Sequence, residues 1–226
     1  MTEPMIEPAN NKKKAKAKVV KRAAGNAEQT KKNILSAAMH EFAEYGDSGA
    51  RIDRIAARAN ANKSLIFRYF SNKEALYASA LKEAYRQIRM GEEELELEQL
   101  EPYEAIRKLM RFTMEHYLKS PWFLRLLATE NLRRGQTIEN MEGIAGLQSP
   151  LITQLTKVLK RGEEMGLFRE NVNPSNLYII IASLFYFPIS NVYTLPVVFG
   201  VDVGSSEWLE QHLRSSERMI LAHLKK

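Results

Sequence analysis

The chain contains no cysteine, which removes disulfide frameworks, thiol nucleophiles and Cys-ligated zinc together. It also lacks HExxH, GxSxG, a P-loop and GxGxxG, so the usual signatures of metalloprotease, hydrolase, nucleotide and dinucleotide chemistry are missing. Its four histidines, His40, His116, His212 and His223, are scattered without ligand-like spacing, and neither metal nor cofactor is expected. No alternating apolar–polar stretch of useful length argues for a strand, and no internal repeat is visible. The uncharged stretch 171–201 is interrupted by Pro174, Asn176, Ser183, Pro188, Asn191 and Pro196. Its clean part, Leu177 to Phe187, is far shorter than the roughly 20 apolar residues of a membrane span. A charged N-terminus without an apolar core does not read as a secretory signal. The expectation is a cytoplasmic protein with no membrane partner and no enzymatic activity.

What is present is an ordinary globular composition, 45% apolar and 27% charged over 226 residues, enough for a small domain joined to a larger one. The net charge of +6 is unevenly placed. Residues 1–75 carry 15 Lys/Arg against 8 Asp/Glu, and the rest of the chain is close to neutral. Such asymmetry points to a polyanion-binding end on a neutral body. Within it, seven of the eleven residues from Lys12 to Arg22 are basic. With Pro4, Pro8 and few large apolar residues nearby, residues 1–25 read as an unfolded basic arm.

From Asn26 onward the periodicity is helical and the fold class is all-α. Ile34, Leu35, Ala38 and Phe42 define a first helix ending near Gly46. Two short helices follow, with Ile55 and Ala56 on one and Ile66 and Phe70 on the other. Ser71 and Glu74 have capping-box spacing ahead of a longer helix, and the acidic stretch 92–101 reads as a solvated face. Beyond it, Ser120-Pro121, Ser149-Pro150 and Pro174 open further helices, and a last one runs through Trp208 and Leu224. The expected organisation is an arm (1–25), a three-helix domain (26–76) and a helical body (77–226).

The segment Arg51–Leu76, RIDRIAARANANKSLIFRYFSNKEAL, carries the chemistry. Two short helices and a tight turn cannot make a core, so the preceding helix must cover them. That is a helix-turn-helix, whose second short helix enters a DNA major groove. Asn60 is the residue best placed to take positive φ in the turn. Burial of Ile66 and Phe70 leaves Lys63, Ser64, Leu65, Phe67, Arg68 and Tyr69 for the groove or its walls.

These residues resemble the TetR family of transcriptional regulators. The resemblance rests on Ile55-Ala56, Ala59, Lys63, the aromatic cluster ending at Phe70, then Lys73-Glu74 and Leu76, with Ile34-Leu35, Phe42 and Tyr45-Gly46 upstream. Asn60, Leu65, Phe67 and Tyr69 depart from the residues the family usually has at those places. The resemblance implies a DNA-binding, ligand-responsive homodimer acting on a near-palindromic duplex operator, most simply as a repressor. A DNA organiser without a ligand, or an enzyme with an appended DNA-binding head, are the alternatives. Arg68 is expected to read guanine or hold phosphate, and Lys63, Lys73 and Arg51 to hold phosphate, with Asn62 beside them. A small-molecule effector would sit among Met110, Met114, Tyr117, Phe123, Leu127 and Glu130. Leu151, Leu155, Val158, Leu177, Ile181, Leu184 and Phe185 are expected to form the dimer seam.

Overall fold

In the computed structural model the backbone is described for residues 9–141 and 150–226, and side chains from Asn26 onward. The described residues form helices and turns, with a single antiparallel bridge, Phe168 to Lys225. They divide into two compact units, Met1–Ala80 and Leu81–Lys226. The boundary falls inside a helix, a few residues beyond the expected one, because Tyr77 and Ala80 still belong to the first core.

The first unit comprises α1 (Ala9–Gly49), α2 (Ile52–Arg58), α3 (Lys63–Phe70) and the start of α4 (Lys73–Glu93). Helix α1 corrects the expectation of an unfolded arm over residues 9–25; residues 1–8 lie outside the described residues. The stretch is rich in Lys and Ala, both strong helix formers, so backbone propensity continues the helix where no apolar stripe demands it. At Gly46 the helix breaks with φ +65 and ψ −177, a conformation that costs glycine little. The core joins Ile34, Ala38 and Phe42 to Ile55, Ala56, Ile66, Phe70, Leu76 and Tyr77, all buried. The Phe42 and Tyr77 rings meet edge-on at 5.0 Å.

The second unit is built around α5 (Pro102–Lys119), which packs against α6 (Pro121–Leu132), α8 (Pro150–Glu164), α9 (Pro174–Ser190) and α11 (Ser206–Leu224). Two short helices, α7 (Gln136–Glu139) and α10 (Leu195–Phe199), were not legible from periodicity. Asn173 caps α9 by accepting the Asn176 N–H at 2.9 Å, with Pro174 in its first turn. His212 on α11 approaches the Leu184 carbonyl of α9 at 2.8 Å and stacks on Trp208 at 4.6 Å.

The acidic stretch departs from its expected solvated face. Glu92 is fully buried, its carboxylate held by Arg89 at 2.6 Å and by the Tyr178 hydroxyl at 2.9 Å. Leu95 and Leu97 are buried as well, so this stretch alternates between core and solvent. The Gln154 side chain spans it, donating to the Glu92 carbonyl and accepting the Leu97 N–H.

Helix α8 approaches the segment after it through Gly162. A Cβ on Gly162 would stand 2.1 Å from the ring of Phe168, which is itself buried and packed edge-on against Tyr103 at 5.0 Å. The ring has nowhere to retreat, so Gly162→Ala is expected to destabilise the fold by about 1–3 kcal/mol. Urea denaturation measures this, and an unchanged midpoint would contradict the packing described.

Candidate nucleic-acid interface

The turn between α2 and α3 is shaped by Asn60, whose φ of +49 lets the Ala61 N–H return to the Ala56 carbonyl at 3.0 Å. Asn62 then caps α3, its side chain accepting the Leu65 N–H at 2.8 Å. This role differs from the DNA contact expected of it and fixes the helix start. Ser71, at φ +63, ends α3 rather than starting α4, and Asn72 caps α4 through the Ala75 N–H at 2.8 Å. The Ser71–Glu74 spacing was a misleading capping box, one residue out of register.

On α3, Ile66 and Phe70 are buried, and Ser64 and Arg68 stand opposite them at four-residue spacing, both exposed. Phe67 and Leu65 flank that face, Phe67 exposed and Leu65 half-buried. The Arg68 guanidinium lies 5.4 Å from the centre of the half-buried Tyr69 ring. The face therefore offers one cation, one hydroxyl and two apolar groups.

Of the other expected phosphate ligands, Lys63 and Lys73 have side-chain partners within the unit, and Arg51 is held through its backbone. Lys63 lies on the α2 side of α3 and pairs with Asp53. Lys73 donates to the Asp47 carbonyl, with the Asp47 carboxylate 4.0 Å away. Lys73 thus ties α4 to the end of α1. Arg51, exposed, donates its backbone N–H to Glu41 at 2.9 Å. Sequence reasoning missed Glu41, which is buried and also takes the Arg54 guanidinium at 2.6 Å. Arg54 in turn donates to the Gly49 carbonyl at 2.8 Å and lies 4.0 Å over the Tyr45 ring. The available signal was an acid inside the apolar stripe of α1.

In the second unit, Tyr117 and Phe123 come together around His116, at 6.2 and 5.4 Å between ring centres, and Phe112 stacks on its other side at 5.9 Å. Tyr85 joins Phe123 edge-on at 5.9 Å. Met110 and Met114 are buried along α5, and Leu127 is half-buried. Glu130 is corrected from a ligand group to a structural one. Its carboxylate accepts the Thr137 and Ile138 N–H groups at 2.7 and 3.1 Å, capping α7, with Arg133 at 3.8 Å. Burial and the nearby Glu92 carboxylate push the Tyr117 hydroxyl up to about 12. Two surface hollows, one of about 670 Å³ by Tyr103 and Leu221 and one of about 160 Å³ by Leu159 and Pro174, include none of the six expected effector residues.

The dimer seam is also corrected. Leu151, Leu155, Val158, Leu177, Ile181 and Phe185 are internal core, each at most 1% exposed, and Leu184 is half-buried. Helix α9 is apolar on all sides, so its periodicity could not say which face turns inward. The outward face carries Ile179, Ile180 and Phe187, and α10 adds Val197, Val198 and Phe199, all exposed.

These features are those of a helix-turn-helix regulator, and comparison with known proteins places the chain. Residues 34–80 match the family model for bacterial regulatory proteins of the tetR family, and residues 102–220 match the tetracyclin repressor-like C-terminal domain. The chain belongs to the TetR family and is a DNA-binding transcriptional regulator. It is 34% identical over 190 residues to the HTH-type transcriptional repressor NicS of Pseudomonas putida, covering 82% of this chain and 90% of that one. It is 30% identical to the HTH-type transcriptional repressor SCO4008 of Streptomyces coelicolor, covering 88% and 98%. A TetR-family regulator from Mesorhizobium loti shares the fold with a TM-score of 0.64 at 18% identity, over 88% of this chain and 98% of that one. Among the described residues no helix is long and apolar enough to cross a membrane, and no acidic or histidine cluster suits a metal.

Burial among aromatic rings lowers the His116 pKa from 6.5 to about 4. In the unfolded chain the imidazole takes a proton near 6.5, so between these values the unfolded state binds more protons. Stability contributed by neutral His116 is complete above pH 6.5 and is lost as pH falls towards 4. His116→Phe is expected to flatten this acid dependence. Whatever the baseline offset, urea midpoints should shift in the variant's favour as pH drops from 7 to 4.5. A constant difference would refute the assignment.

Proposed function

We propose that this chain is a homodimeric repressor that reads a near-palindromic duplex with the exposed face of α3 and releases it when a small molecule enters the body. The observation that carries the reading is the capped helix α3, with Ser64 and Arg68 opposite its buried Ile66 and Phe70. Two relatives named as repressors along nearly their whole length support the direction of regulation. Within the groove, Arg68 pairs with guanine through two parallel hydrogen bonds, and Leu65 and Phe67 meet thymine methyls. Ser64 supplies a hydroxyl able to donate or accept at a base edge or phosphate.

One such helix contacts a short half-site, and two must stand about 34–36 Å apart to engage successive grooves. The pairing surface is the outward face of α9. Ile179 at 63%, Ile180 at 43% and Phe187 at 60% exposure leave three large apolar side chains in water along one helix. The effector pocket is the aromatic interior around His116, whose Nε2 is buried without a partner and is the polar group a bound ligand would satisfy.

Selection from a random duplex pool, followed by footprinting, tests the reading. Arg68→Ala is expected to lower affinity for the selected duplex by about 1–3 kcal/mol and relax selectivity at a guanine. Normal affinity and selectivity would remove Arg68 from the interface. Ile180→Glu combined with Phe187→Glu is expected to give a folded monomer in sedimentation equilibrium, with unchanged helical content by circular dichroism. A dimer that persists would move the seam off α9.

A further inference from the structure

The folded helix-turn-helix has almost no cationic surplus of its own. Residues 1–75 hold 15 Lys/Arg and 8 Asp/Glu, and the seven basic residues between Lys12 and Arg22 account for the whole excess. Within the three-helix domain, Arg54, Lys63 and Lys73 are matched to Glu41, Asp53 and Asp47, and Arg58 lies 3.9 Å from Glu44. Affinity for DNA comes largely from cations that displace counterions from phosphate, and residues 26–75 hold eight Lys/Arg against six Asp/Glu.

The basic run lies on the backbone of α1, which begins at Ala9 and continues into the domain. From Asn26 to Asn33 no residue is buried, and the first core residue is Ile34. The backbone helix from Ala9 to Asn33 rises about 37 Å, and its sequence carries no apolar stripe of helical period. An isolated helix of this kind is marginal, and like charges at three-to-four spacing weaken it further. A row of phosphates would neutralise such a run of charges.

We infer that the α1 extension, residues 12–22, is a second DNA-binding element that grips the phosphate backbone beside the groove read by α3 and supplies most of the salt-dependent affinity. The inference rests on the DNA-binding reading of α3. Phosphate contacts carry no sequence information, so the extension sets how tightly the protein holds DNA, and α3 sets where.

The test replaces Lys12, Lys13, Lys14, Lys16, Lys18, Lys21 and Arg22 by Gln, which preserves helix propensity, and measures binding of the full chain between 50 and 200 mM KCl. The slope of log affinity against log salt is expected to shrink by at least about 3 per protomer, since each lost phosphate contact removes about 0.9. Preference for the selected duplex over a scrambled one is expected to hold within about threefold, as phosphate contacts position without specifying. A control with Lys119→Gln, Arg125→Gln and Lys160→Gln, in the second unit, is expected to leave the slope unchanged. A slope within one unit of the native value overturns the inference, as does an equal loss per charge in the control. Absence of any sequence preference in the intact chain would instead defeat the reading of α3. The slope on non-specific duplex would still decide the role of the extension.

Discussion

The reading head depends on one buried carboxylate. Two short helices joined by a turn bury few large apolar residues of their own, Ile55 on one and Ile66 and Phe70 on the other, and apolar contact is non-directional, so it fixes their angle to a third helix weakly. Glu41, inside the α1 stripe, supplies the direction that apolar contact lacks. It accepts the Arg51 N–H at the start of α2 and the Arg54 guanidinium one turn later. A buried charge is costly unless paired and hydrogen-bonded; with both partners, Glu41 pins the position of α2 on α1. From there the Asn60 turn and the Asn62 cap leave α3 little freedom.

The body uses the same device twice. Glu92 is satisfied by Arg89 and the Tyr178 hydroxyl, Glu130 by two backbone N–H groups with Arg133 alongside. Each carboxylate fixes an irregular join, the end of α4 in one case and the turn into α7 in the other. The charged groups of the interior are thereby consumed in positioning the backbone. What remains around His116 is aromatic and uncharged.

Much of the first unit was legible in the sequence. The Asn60 turn and the buried pair Ile66 and Phe70 follow from spacing and from the few residues that tolerate positive φ. In the second unit, Pro174 announced α9. The failures share a cause. An acid or lysine at a periodic position reads the same whether solvated or paired, so Glu41, Glu92, Lys63 and Lys73 could be placed only in three dimensions. The seam residues were misassigned because a helix apolar all round, such as α9, has no sequence mark separating its inward stripe from its outward one. The helix over residues 9–25 carries no apolar periodicity in its sequence, only the helix propensity of its Lys and Ala residues.

These two results meet in the division of work between specificity and affinity. The exposed face of α3 is chemically sparse, with Arg68 as its cation and Ser64, Leu65 and Phe67 around it. On the proposed reading such a face would discriminate well, since a wrong base would leave Arg68 unpaired or an apolar group against a polar edge. Several of the other cations of the three-helix domain, though exposed or half-buried, are matched to carboxylates, Arg54 to Glu41, Lys63 to Asp53 and Lys73 to Asp47. Lys73 ties α4 to the end of α1 through Asp47, whereas the Lys63–Asp53 pair lies on the surface. On the inference drawn for α1, a basic helix N-terminal to the first core residue, Ile34, would supply phosphate contacts separately from the packing that aims α3. Such a separation would let the charge of the extension vary without changing which bases the proposed α3 face selects.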